Sequence, residues 1–154
     1  MWYNEFLYKY KSGMSHQFLL YFNVRDLVDK SRYFDRYMYE EFIRPRGFSI
    51  VAFYDISRGL TFLDAGMEKE FDIITSNQAE KAKNSLPSRI FPYIDKALKS
   101  TKMILIIDHL DKIVPSGDIA SMSMEERNTL IWITEWSINT RISSIGSTIL
   151  MLAD

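Results

Sequence analysis

Met103-Ile104-Leu105-Ile106-Ile107 is an unbroken apolar run that ends in Asp108. A carboxylate at the carboxyl end of a buried parallel strand stands where open α/β sheets hold their ligands, and Mg²⁺ prefers such hard oxygen donors. Asp108 is therefore a candidate metal ligand, although strand ends also carry Asp as an ordinary turn residue. His109 follows it. An imidazole titrates near neutrality and can take a proton, so Asp108 and His109 are the candidate catalytic residues. Asp111 is a second candidate carboxylate for metal.

A Walker B carboxylate of this type works opposite a phosphate. That phosphate is normally cradled by the amides of a Gly-x-x-x-x-Gly-Lys-Ser/Thr loop, the Walker A loop, after the first strand. The corresponding stretch, Val24-Arg25-Asp26-Leu27-Val28-Asp29-Lys30-Ser31, keeps the Lys-Ser pair but has no glycine. Asp26 and Asp29 put negative charge where an anion would have to sit. Lys30 and Ser31 are thus candidate phosphate-binding residues as the relic of such a loop, or else a coincidental pair. Asp55, Asp64, Asp108 and Asp111 all fall at or just after expected strand ends and could meet at one rim of a sheet. Arg25, Arg44, Arg46 and Arg58 are candidates for partner contacts. His16 lies far from His109, and no metal-ligand spacing links them.

The elements that must position these residues follow from periodicity. Tyr3, Phe6, Leu7 and Tyr10 share one helical face in a short N-terminal helix that ends at Lys11-Ser12-Gly13. Gln17–Phe22, Phe48–Tyr54, Met103–Ile107 and Thr148–Leu152 read as buried strands, and Leu60–Leu63 as a further short one. Between them, Tyr33, Phe34, Tyr37, Met38, Phe42 and Ile43 form a helical stripe that Pro45 and Gly47 stop. Met67–Thr75 reads as a helix with Met67, Phe71 and Ile74 on one side. Ser76–Pro87 is polar and reads as a mobile loop. A further helix opens near Ser88 and runs through Leu98, with Pro92 tolerable only in its first turn. Ser123-Met124-Glu125-Glu126 is a capping box for a helix carrying Leu130, Ile131, Ile133 and Trp136. Strands alternating with helices make βαβ units, so an α/β fold with a mainly parallel sheet of about four strands is expected.

Composition bounds the rest. The 154 residues suit one ordinary domain, with 47% hydrophobic and 25% charged residues. Basic and acidic residues number 19 and 20, a balance that supplies no general nucleic-acid or anionic-membrane surface. With no cysteine, disulfides, thiol catalysis and Cys-rich zinc sites are excluded. No apolar run is long enough for a bilayer helix, and Met1-Trp2-Tyr3-Asn4-Glu5 does not open a signal peptide, so a cytoplasmic protein is expected. Aromatics make up 14% of the chain and fall mostly at helix or strand spacing, which fits a core more than a base-stacking platform. The sequence ends within two residues of a buried strand, so a piece of a longer protein is expected.

Three stretches together, Phe18–Leu27, Val51–Asp64 and Met103–Asp118, followed by Ser123-x-x-Glu126-Arg127, resemble the N-terminal region of certain bacterial AAA-family ATPases. That region stands as a degenerate P-loop module before the AAA domain that carries an intact Walker A loop. The resemblance spans residues 16–154 and implies a three-layer P-loop NTPase-like core, with residues 1–15 as a helical extension. It implies the strand order Gln17–Phe22, Thr148–Leu152, Met103–Ile107, Phe48–Tyr54. It places the Walker B carboxylate at Asp108 and the family's second acidic position at Asp111, with His109 standing where a catalytic Glu belongs. ATP and magnesium would then serve the parent protein, a homo-oligomer with a downstream AAA domain. No membrane or nucleic-acid partner is indicated, and this module would serve assembly or partner contacts. The alternatives are a weakly active nucleotide hydrolase using Asp108 and Lys30, and a free-standing protein-interaction domain.

Overall fold

A computed structural model describes residues 40, 44–108 and 121–151. The chain divides into two compact units, Met1–Gly47 and Phe48–Asp154. In the first, the described part is Glu40 and the 3-10 turn Arg44–Arg46, with Arg44 paired to Glu40 at 3.1 Å. The expected strand Gln17–Phe22, nearly all of the expected helix over 33–43, and the boundary near residue 15 lie outside the described residues.

The second unit is built on a four-stranded sheet. Strands β1 (Ile50–Asp55), β3 (Met103–Asp108) and β4 (Thr148–Met151) are parallel, and β2 (Gly59–Phe62) returns antiparallel to β1 at the edge. The order is β2-β1-β3-β4. The sequence of β4, β3 and β1 agrees with the expected order, and the short Leu60–Leu63 segment supplies the fourth described strand. Met103 to Ile107 are fully buried, as an apolar run in a central parallel strand should be.

Register fixes the faces. Ala52 lies opposite Phe62 and Tyr54 opposite Leu60, while Ile50, Ala52 and Tyr54 align with Met103, Leu105 and Ile107. On this face Phe62 meets Phe71 of α1 (Ala65–Ile74) at 5.1 Å, and Tyr54 meets Phe91 of α2 (Pro87–Ser100) edge-on at 5.3 Å. Helices α3 (Met124–Ile138) and α4 (Thr140–Ile145) pack on α2. The described helices thus form one layer on one face. Val51, Ile104 and Ile106 of the opposite face are buried as well. Among the described residues the sheet carries this one helical layer, and the stretch 24–31, expected as the relic of a Walker A loop, lies outside them.

Local chemistry explains the helix bounds. Asp64 caps α1 by accepting from the Met67 amide at 2.8 Å. At the same end of β1's pairing with β2, the Val51 amide meets the Met67 thioether sulfur at 3.2 Å. The capping box of α3 is present, with Glu126 N on Ser123 Oγ at 3.2 Å and Ser123 N on Glu126 Oε1 at 3.0 Å. Its apolar residues are not all on the docked side. Thr129 and Trp136 are buried, but Ile131 is 58% exposed. The reason is that α3 is apolar around much of its circumference, so composition alone does not select the docked side.

Two expectations are corrected. Pro92 lies inside α2, beyond the first turn, with Pro87 taking the N-terminal position. A proline inside a helix costs about 3 kcal/mol or more, and the burial of Ile90, Phe91, Ile94, Ala97 and Leu98 carries the helix through it. Ser76–Pro87 is a tied-down segment. Ser76 and Asn77 adopt left-handed conformations, Glu80–Ala82 forms a 3-10 turn, and Ala79 and Lys83 are buried.

Lys83 does most of the tying. Its ammonium lies 2.7 Å from Glu68, 2.9 Å from Asp72 and 2.9 Å from Glu80, donating hydrogen bonds to the two glutamates and pairing with Asp72 by charge. Its carbonyl accepts from the Leu60 amide at 2.6 Å, which covers the outer edge of β2. Gly59 is required there. It sits at φ +80°, and a Cβ would strike the Lys83 carbonyl and lie 2.7 Å from Asn84 Cα.

Candidate functional site

Parallel strands β1 and β3 deliver their carboxyl ends to one rim, where Asp55 and Asp108 are register partners. The N-terminus of α2 reaches the same rim, because the Tyr54 hydroxyl donates to the Ser85 carbonyl at 3.0 Å just before that helix. In an open α/β sheet this rim is where an anionic ligand would find helix amides.

Here the chain's own carboxylates occupy those positions. Glu125, in the first turn of α3, accepts from the Ser88 amide of α2 through Oε1 at 2.9 Å. Leu86, which precedes α2, offers no side-chain cap, so Glu125 supplies the negative charge that the helix end favours. Asp55 is 7% exposed and closes an Asx turn, its Oδ1 accepting from Ser57 N at 2.8 Å and Ser57 Oγ at 2.7 Å. Burial, reinforced by the Glu125 and Asp55 charges, pushes the Tyr54 phenol well above its ordinary value, so it remains a protonated donor. For the Lys83 ammonium, burial alone would lower the pKa. The bonds to Glu68, Asp72 and Glu80 outweigh burial and raise it.

The four aspartates expected to converge do not all do so. Asp64 follows β2, which runs opposite to β1, so it stands at the other end of the sheet and spends its carboxylate on α1. Asp108 ends β3 beside Asp55, whereas His109, Asp111, Lys30, Ser31 and Arg25 lie outside the described residues. Arg44 pairs with Glu40, Arg46 is engaged, and Arg58 sits in the exposed β1–β2 turn. Sequence reasoning passed over Glu125, Tyr54 and Ser88. Only Glu125 had a signal, as the second acid of a helix start, and its reach to another helix is tertiary.

The described rim is occupied by the chain's own groups. Its helix amide is taken by a carboxylate, and Asp55 is committed to its turn. Among the described residues, no group of three or more His, Asp or Glu could hold a metal ion. No described helix is long and apolar enough to cross a membrane.

A mostly parallel sheet with helices crossing between its strands and a polar rim at their carboxyl ends defines a Rossmann-like α/β domain. The family model "AAA+ chaperone, N-terminal Rossmann-like domain" matches residues 1–154, and the chain belongs to that family. No curated protein and no solved structure matches it.

Proposed function

We propose that this domain is a contact module of an AAA-family protein, serving assembly or partner binding and not itself hydrolysing nucleotide. The observation that carries this reading is Glu125 seated on the Ser88 amide at 2.9 Å. A carboxylate at that helix end repels a phosphate both electrostatically and by occupation. The absence of glycine between Val24 and Ser31 supports the same reading, since nothing in that stretch supplies a phosphate nest. ATP and magnesium are assigned to an AAA domain downstream in the same protein, and that protein to a cytoplasmic homo-oligomer.

Calorimetric titration of the chain with ATP-Mg²⁺ tests it. No binding heat is expected. Micromolar binding by the unmodified chain would overturn the proposal and favour the hydrolase alternative, with Asp108 and Lys30 the first residues to substitute.

A further inference from the structure

Helix α3 is apolar where a surface helix should be polar. Thr129 and Trp136 mark its buried side. The opposite side carries Met124, Ile131 and Ile138, which are 74%, 58% and 68% exposed. Their spacing of seven residues aligns them along the helix axis as one straight seam. Such a seam on water is unfavourable unless something covers it.

The residues flanking the seam identify an occupant. Arg127, Thr134 and Glu135 are exposed, and Asn128 is half-buried. If two copies of α3 pack antiparallel about a two-fold axis at Ile131, Ile131 meets its own counterpart and Met124 comes level with Ile138 of the second copy. The same operation brings Arg127 level with Glu135, and Asn128 level with Thr134. Every apolar residue then faces an apolar one, and the two charges meet with opposite sign, twice over. A parallel pairing would instead set Arg127 against Arg127 and Glu135 against Glu135, which like-charge repulsion disfavours. Arg127 already has a partner within its own chain, and a guanidinium with five donors can hold a second.

We propose that α3 is a homotypic interface, in which two copies of this chain pair their Met124–Ile131–Ile138 seams antiparallel. One helix pair buries well under the ~800 Å² per partner of a standard stable interface. The contact is therefore weak for the chain alone and gains strength where tethering in an oligomer raises the effective concentration. The inference rests on the assembly half of the functional reading above. Its test contains no nucleotide, so failure to pair and unexpected ATP binding are separate results.

The natural absence of cysteine makes the test clean. Ile131→Cys, treated with a short thiol cross-linker at high protein concentration, should form dimers several-fold faster than Ile73→Cys, an exposed control on α1. Met124→Cys should cross-link poorly to itself and readily to Ile138→Cys when the two are mixed. Equal yields for Ile131→Cys and the control overturn the pairing, and efficient self-linking of Met124→Cys overturns its antiparallel sense. Sedimentation velocity of Ile131→Glu, with unchanged circular dichroism, should show the loss of concentration-dependent association. If that variant associates as the unmodified chain does, the seam is not the interface.

Discussion

Replacing Lys83 by Met removes a charge while keeping the buried stem, and the structure sets the size of the effect. The Lys83 side chain is 7% exposed, whereas Asp72, Glu68 and Glu80 are 24%, 45% and 72% exposed. The pair with Asp72 is the best shielded and is assigned about 1–1.5 kcal/mol, while the two glutamates, half or more in water, contribute roughly 0.5 kcal/mol each. Three carboxylates left without their cation also repel one another. A loss of about 2–3 kcal/mol follows, which lowers a urea midpoint by on the order of 1 M. Urea unfolding followed by tryptophan fluorescence reads it. Lys83→Met with Glu68→Gln should recover part of the loss by removing one repelling charge. An unchanged midpoint in the single variant, or no recovery in the double, would refute the view that this cluster pins Ser76–Pro87 to α1.

Three further outcomes are expected. Gly59→Ala should destabilise by about 3 kcal/mol or more, since it combines a left-handed backbone with a clash against the Lys83 carbonyl; thermal unfolding measures it, and a shift within error would place the edge strand elsewhere. Ser147→Ala should cost about 1–3 kcal/mol, because Ser147 Oγ accepts from the buried Met103 amide at 3.1 Å and lies 2.8 Å from Leu98 O and 2.9 Å from Thr101 O. Stability should be insensitive to the Tyr54 and Lys83 protons at neutral pH and fall on the alkaline side. Both groups bind their proton more tightly when folded, so their contributions hold below the ordinary values of 10.0 and 10.5 and disappear as pH rises past them. Denaturant titrations at increasing pH should show Tyr54→Phe removing only its own share of that decline.

What the sequence made legible was whatever a short window contains. Ser123 announced a helix start, and the Met103–Asp108 run announced a central strand, because caps and unbroken apolar runs are local properties. Lys83 was hidden for the opposite reason. Its partners are distributed over α1 and a 3-10 turn, and a lysine among Asn, Gln and Ser reads as solvated until those elements are brought together. Asp64 shows how a correct local reading can still mislead. It does follow a strand, but the strand is antiparallel, and direction is invisible in composition. Glu125 was read as part of the capping run of its own helix, while its carboxylate serves another.

The file of rings running outward from the sheet gives this domain a built-in optical reporter. Tyr54 touches Phe91, Phe91 lies 4.9 Å from Trp136, and Trp136 lies 5.8 Å from Trp132, a separation at which two indoles couple excitonically. Trp136 is also oriented by its Nε1 donating to Asp95 at 2.9 Å. The near-ultraviolet dichroism of this indole pair therefore depends on α3 staying seated on α2. Loosening of α3 would dim that signal while the far-ultraviolet helical signal persisted, which makes detachment of a single helix visible without any label.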